Sequence, residues 1–248
     1  MLRKIGNIIV WLMLGAWFLL ISGTISEKAD DILCNRIEVV MQDTLNNLFV
    51  TPAQVRELVL SAGQQIQGYP MEQINTRVLE KRLEKNPYIR NAEVCTDISC
   101  RLEVRIEQRE ALLRLMPGGS EGYYLDTRGK VLPLSSQFTP LILLVTGKLP
   151  SGKGVEASFD ELFRFGSYLS QSEFWKDQVV QVYVDANQEY ELIPRVGAHQ
   201  ILLGSLDNWE RKLRNLELLY DQGLSVHGWN NYRTINLKYT NQVICTKR

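Results

Sequence analysis

Near its start the chain carries Ile5 to Ile25, IGNIIVWLMLGAWFLLISGTI, a run too apolar for the surface of a water-soluble domain. As a helix rising about 1.5 Å per residue, its 21 residues span about 30 Å, the depth of a bilayer's hydrocarbon. Eleven of them are Leu, Ile, Val or Phe, contributing about −5 kcal/mol toward insertion. Arg3 and Lys4 precede the run, and Glu27, Asp30 and Asp31 follow it. The positive-inside rule then expects a cytoplasmic tail at residues 1–4, a transmembrane helix at 5–25 and the rest of the chain outside. A cleaved signal peptide is the alternative, with Ser22, Gly23 and Thr24 near a cut. The two tryptophans and the missing A-x-A motif favour an uncleaved anchor.

The chain as a whole has the composition of folded protein, with 45% hydrophobic and 23% charged residues and only 8 Pro. Basic and acidic residues number 28 each, so no cationic surplus invites nucleic acid. Two histidines and four cysteines leave little for a metal site or a His-based catalyst. Gly147 to Lys153 fits G-x-x-x-x-G-K, but Gly154 stands where Ser or Thr must hold magnesium, and Pro150 removes a cradle N–H. His199 and His227 lack ligand-spaced companions, and His199 reads as a surface residue at a strand edge. No zinc-protease motif occurs. The expectation is no enzyme, no cofactor, no metal and no small-molecule substrate.

A linker is expected at 26–34, then a small α/β module at 35–110. Ile37, Val39 and Met41 alternate as a strand. Thr51-Pro52 opens a helix by N-cap and N1 signals, with Val55, Leu58, Val59 and Ala62 on one face and Gly63 at its end. A second helix is expected at 74–85, striped by Val78, Leu79 and Leu83 and carrying Lys81, Arg82 and Lys85 at its C-terminal end. Two strands follow, 89–94 and 100–107, the second with Leu102, Val104 and Ile106 inward. Extracytoplasmic cysteines are free to form disulfides. With Val94 and Leu102 both inward, opposed residues have an even sum, which turns Cys95 and Cys100 to opposite faces. Cys34 and Cys245 give no geometric clue.

Residues 111–248 read as a larger, mostly antiparallel β domain with flanking helices, making the chain α+β. A hairpin is expected at 123–132 turning at Asp126 to Gly129. Strands are expected at 141–145, 179–184, 190–194 and 200–203. Ser158 to Glu161 reads as a capping box for a helix reaching Leu169. Asp207 to Glu210 caps another, striped by Trp209, Leu213, Leu216 and Tyr220 and closed by Gly223. The last strands are expected at 234–239 and 242–246, around Thr240-Asn241, with the final one at a sheet edge.

Three stretches together resemble the bacterial cell-division family FtsQ/DivIB. Asn86 to Val94 with Leu102 to Ala111 is similar to the hairpin that ends the family's POTRA domain, with Ile98-Ser99 replacing a Trp-Pro turn and the usual Pro near Ala111 absent. Tyr124-Leu-Asp-Thr-Arg-Gly-Lys-Val-Leu-Pro133, with Pro140 and Thr146-Gly147, resembles the family's Y-L-x-D-x-x-G-x-V-x-P and P-x-L-x-G. Ile235-Asn-Leu-Lys-Tyr239 before Gln242-Val243 resembles its terminal D-L-R-Y-x-x-x-V. The resemblance implies a membrane-anchored, non-enzymatic divisome scaffold at the septum, with a POTRA-like domain and a β domain binding FtsB, FtsL and other septal proteins. It further implies that the last strand receives a segment of FtsB. Lys238 and Tyr239 stand at the family's Arg-Tyr, and Thr240, Gln242, Val243 and Ile244 complete the partner-binding segment. Alternatives are a POTRA-bearing secretion or assembly protein, against which the few strands of the C-terminal half argue, and an envelope enzyme without a recognisable motif.

Overall fold

The computed structural model describes residues 11, 13–18, 33–42, 49–61, 66–97, 99–118, 121–149, 160–239 and 241–248. Most of the 5–25 run, with the tail before it and the linker to residue 32, lies outside these residues. Residues 11 and 13–18 are helical. Among the described residues no helix is long and apolar enough to cross a membrane. The chain divides into two compact units, Met1–Gln108 and Arg109–Arg248.

The first unit holds β1 (Arg36–Met41), α1 (Pro52–Leu60), a short 3-10 turn (Met71–Gln73), α2 (Thr76–Leu83), β2 (Ile89–Thr96) and β3 (Arg101–Gln108). Its sheet has the order β1-β3-β2, with β3 parallel to β1 and antiparallel to β2. The central place of β3 follows from its pattern, because Leu102, Val104 and Ile106 are fully buried while Arg101, Glu103, Arg105 and Glu107 stay half-buried. Val55 and Val59 of α1 and Leu79 and Leu83 of α2 supply the helical side of the core. Thr51 caps α1 in a full capping box with Gln54. The helix stops at Leu60, short of the Ala62 and Gly63 expected to finish it, and both of those lie outside the described residues.

Helix α2 starts two residues later than expected because the Asn75 side chain caps it, accepting from the Val78 amide. Leu79 and Leu83 are buried, but Val78 faces outward, 53% exposed, instead of joining the stripe. The hairpin register sums to an even number, with Val94 opposite Val104 and Cys95 opposite Glu103. Cys100 lies outside β3, in the turn. Leu33 and Cys34 are bound into the unit by a bridge to Pro70 and by hydrogen bonds to Gly68 and Tyr69.

The second unit holds β4 (Ala111–Pro117), β5 (Tyr123–Asp126), β6 (Val131–Pro133), β7 (Leu143–Gly147), α3 (Asp160–Gln171), α4 (Trp175–Gln178), β8 (Val179–Val184), β9 (Tyr190–Pro194), β10 (Gln200–Gly204), α5 (Trp209–Leu219), α6 (Ser225–His227), β11 (Tyr232–Asn236) and β12 (Ile244–Lys247). Its described strands form one sheet in the order β12-β11-β10-β9-β8-β7-β4-β5-β6. Most joins are antiparallel, but β4–β7, β7–β8 and β10–β11 are parallel. Helices intervene between β7 and β8 and between β10 and β11, which is what a parallel join requires. One core lies between the sheet and its helices, built on Leu113, Val145, Val182, Leu192, Ile201 and Ile235 against Phe165, Leu169, Trp175, Leu213 and Leu216.

Four expectations need correction here. Strand β7 begins at Leu143, and Leu141 is fully exposed. Asp207 does not cap α5: Asn208 precedes the helix in left-handed backbone and Asp207 instead accepts from Ser205 Oγ at 2.8 Å. Gly223 does not close that helix, which continues through a π turn (Tyr220–Leu224) to end at Gly228. Tyr232–Asn236 and Ile244–Lys247 replace the strands expected at 234–239 and 242–246, so Lys238, Tyr239, Gln242 and Val243 lie in the connection. Asn236 Oδ1 accepts the Lys238 amide at 3.0 Å and bends the chain away from the ladder before Lys238. The Ser158 capping box lies outside the described residues.

Candidate partner-binding edge

Strand β11 lies parallel to β10, with Ile201 opposite Ile235, and antiparallel to β12, with Ile235 opposite Cys245 and Asn236 opposite Ile244. No described strand lies beyond β12. The Leu237 amide donates to Leu202 O at 2.8 Å, so Ile235 faces β10 while Thr234 and Asn236 face β12, and the register shifts between Tyr232 and Thr234. The Arg248 amide donates to Asn231 O at 3.2 Å, placing the even residues of β12 inward in the same way. Alternation therefore points the N–H and C=O groups of Cys245 and Lys247 outward, to the side of β12 that no described strand covers. The Cys245 side chain joins the core beside Ile235, and burial pushes its thiol up. On the opposite face Ile244 is 42% exposed.

The other expected site residues gather just above this strand. Tyr239 is 54% exposed, and its carbonyl accepts from the Gln242 amide at 3.5 Å across the turn. Thr240 lies outside the described residues. Gln242 is exposed, while Val243 packs against the core margin. Lys238 leaves the edge altogether. Its stem crosses Gly204, where backbone at φ +74 and a Cβ only 2.9 Å from Lys238 Cγ make glycine the fitting residue. Its ammonium pairs with Glu189, which holds the lysine above its usual pKa. An acidic partner residue would have to compete with Glu189 for it.

Beneath the edge, His199 is 2% exposed, which overturns the surface reading. Its Nε2 lies 3.3 Å from the Tyr220 hydroxyl, and the ring meets Tyr220 edge-on. Burial pushes its pKa down, opposed by the Trp229 carbonyl and reinforced by Arg248. Lys212 is also buried, donating to Leu203 O at 3.1 Å and Ser205 O at 2.7 Å, and burial lowers its pKa. Lys212 thereby braces β10 and its exit, while His199 ties the residue before β10 to Tyr220. A helix whose apolar stripe is interrupted by a lysine gave no warning that the lysine pointed inward.

Gly147, from the G-x-x-x-x-G-K match, has a packing explanation. It stands in a parallel ladder between Pro117 and Val184 at φ +104, where a Cβ would come within 2.0 Å of Val184 O. Residues 150–159 of that match and beyond lie outside the described residues. Among the described residues no group of three or more His, Cys, Asp or Glu is arranged to hold a metal.

The motif Tyr124 to Gly129 is explained by Asp126. This buried carboxylate accepts from the amides of Arg128 (2.9 Å) and Lys130 (2.8 Å) and pairs with Arg109 at 3.0 Å. It shapes the β5–β6 turn and ties it to the segment entering β4.

Among curated proteins, none matches this chain. The POTRA-like domain family matches residues 32–107, the stretch that holds β1, both helices and the β2–β3 hairpin. The family described as FtsQ/DivIB, C-terminal related, matches residues 111–246, which is more than half the chain and takes in the sheet from β4 into the edge strand. With that sheet, the edge that ends it and a POTRA-like unit ahead of it, the chain belongs to the FtsQ/DivIB family.

Proposed function

We propose that this protein is a non-enzymatic scaffold of the divisome, anchored in the cytoplasmic membrane by residues 5–25 with both units outside, and acting at the septum. Family membership supports the division role, and the apolar run flanked by Arg3 and Lys4 supports the anchor. The exposed apolar side chains of Trp11, Met13, Trp17 and Phe18 suit contact with lipid. The partner is an FtsB–FtsL-like pair, received by addition of a strand alongside β12. The observation that carries this reading is the free outer side of β12, with the amides of Cys245 and Lys247 turned outward and Ile244 and Tyr239 exposed beside them. An unsatisfied strand edge gains main-chain hydrogen bonds from an added strand, and the neighbouring side chains select which one.

The test is titration of the full chain in detergent with an FtsB–FtsL ectodomain pair. Lys247→Pro removes an outward donor and leaves the β11–β12 bonds intact. Continuing the alternation one residue gives Val243→Pro the same effect, and Tyr239→Ala removes an exposed side chain. Each variant should bind at least tenfold more weakly while its circular dichroism stays unchanged. Full affinity in all three would move the interface to the POTRA-like unit.

A further inference from the structure

Cys34 is completely buried at the entry to the first unit, although the chain there is only beginning β1. Its amide donates to Tyr69 O at 2.9 Å and its carbonyl accepts from the Gly68 amide at 2.8 Å, which fixes its backbone on one side. On the other side the next residue, Asn35, donates its amide to Cys100 O at 2.9 Å. The Gln42 amide donates to Ile106 O where Met41 faces Ile106, so the like bond from Asn35 sets Cys34 opposite Cys100, one residue out of step with the Arg36–Arg101 register that follows. Neighbouring strands lie about 5 Å apart, which is the expected separation of the two Cα atoms. A disulfide needs about 4.4–6.8 Å.

Side-chain placement points the same way. Cys34 Sγ lies 3.8 Å from Arg36 O, at the junction of β1 and β3. Burial pushes the Cys34 thiol up, and backbone groups of Leu102 and Arg36 ease it down. Cys100 holds φ +59, left-handed backbone that residues other than glycine seldom adopt, in the turn closed by its amide on Asp97 O at 3.1 Å. Cys95 is turned elsewhere, exposed and opposite Glu103.

We propose that Cys34 and Cys100 form a disulfide that closes the POTRA-like unit, tying the point where the chain enters it to the β2–β3 turn. This rests on the extracytoplasmic placement proposed above, since the cytoplasm keeps thiols reduced. The reaction is thiol–disulfide exchange with a disulfide-bearing oxidant. The half-buried Cys100, as thiolate, attacks one sulfur of the oxidant and expels the other as a thiolate. Cys34 then loses its proton and attacks the Cys100 sulfur, releasing the oxidant's remaining thiolate. Two protein thiols give up two protons and two electrons, and the oxidant's disulfide becomes two thiols.

The bridge closes a long loop, so it should stabilise mainly by restricting the unfolded chain. The full chain is purified reduced in detergent, incubated with glutathione disulfide, alkylated and digested with trypsin without reduction. The expected product joins Ala29–Arg36 to Asn91–Arg101. Because the second peptide also holds Cys95, Cys95→Ser should keep the link and Cys100→Ser should abolish it. The oxidised protein should melt several degrees above the reduced one, a difference Cys100→Ser removes. A link lost in Cys95→Ser, or no link at all, would overturn the pair. Thiol trapping in intact cells separates the two claims. A bridge that forms with glutathione disulfide but is absent in cells would overturn the placement outside the cytoplasm, and leave the pair standing.

Discussion

At the scale of residues, the side chains that matter most to the second unit are buried polar ones. Asp126 satisfies two turn amides and the Arg109 guanidinium from a site shielded from water. Asp126→Ala removes two turn hydrogen bonds and a buried ion pair together and should cost about 3–5 kcal/mol in urea unfolding. A loss typical of a surface change would show the network to be dispensable. His199 gives the unit a pH dependence of known sign. Its folded pKa is lowered by burial, so on acidification below about 6.5 the unfolded chain takes up a proton that the folded chain refuses. Stability should therefore fall as pH drops from 7.5 to 5.5, with a slope of at most about 1.4 kcal/mol per pH unit. The groups facing the ring are the Tyr220 hydroxyl, the Trp229 carbonyl and Arg248. His199→Gln should flatten the slope between those two pH values; an unchanged slope would assign it to other groups. Neither role was legible in the sequence, because a single His or Asp carries no periodicity. Their burial is set by distant chain segments.

At the scale of elements, local chemistry foretold much of the structure. The Thr51-Pro52 start of α1, the alternation of β3 and the Asp126–Gly129 turn depend on contacts a few residues apart, and each stands where the residues put it. Errors cluster where a competing local bond decides a boundary. The Asn75 cap moves the start of α2 to Thr76. The Asn236 side chain bends the chain before Lys238, which shortens β11 and lifts Tyr239 out of the ladder. The sheet is mostly antiparallel as expected, and its parallel joins β7–β8 and β10–β11 fall where helices intervene. For β3 the expectation is sharp: Val104, buried between Val39 and Val94, should not tolerate Val104→Asp. An unpaired carboxylate there should cost several kcal/mol, a large share of the stability of a small unit. Arg105→Ser loses a half-exposed pair with Glu103 and should change the urea midpoint little, within about 1 kcal/mol. Equal damage from both would reverse the assigned faces of the strand.

At the scale of the whole molecule, the sequence pattern already set the succession of apolar run, small α/β module and β-rich remainder, and the family matches fall on the two folded parts. What periodicity could not supply was the order of strands across the sheet. That order makes β12 an edge, and hydrogen-bond parity then selects which amides are free. The partner-binding stretch named from the family motif ends at Ile244, whereas the outward amides are those of Cys245 and Lys247. Site-resolved amide exchange on the full chain in detergent, alone and with an FtsB–FtsL ectodomain pair, addresses this edge most directly. In the free protein the Cys245 and Lys247 amides should exchange much faster than those of Ile244 and Thr246. With the partner bound, Cys245 and Lys247 should become protected to a similar degree. Binding that leaves these two amides as fast as before would contradict strand addition at β12.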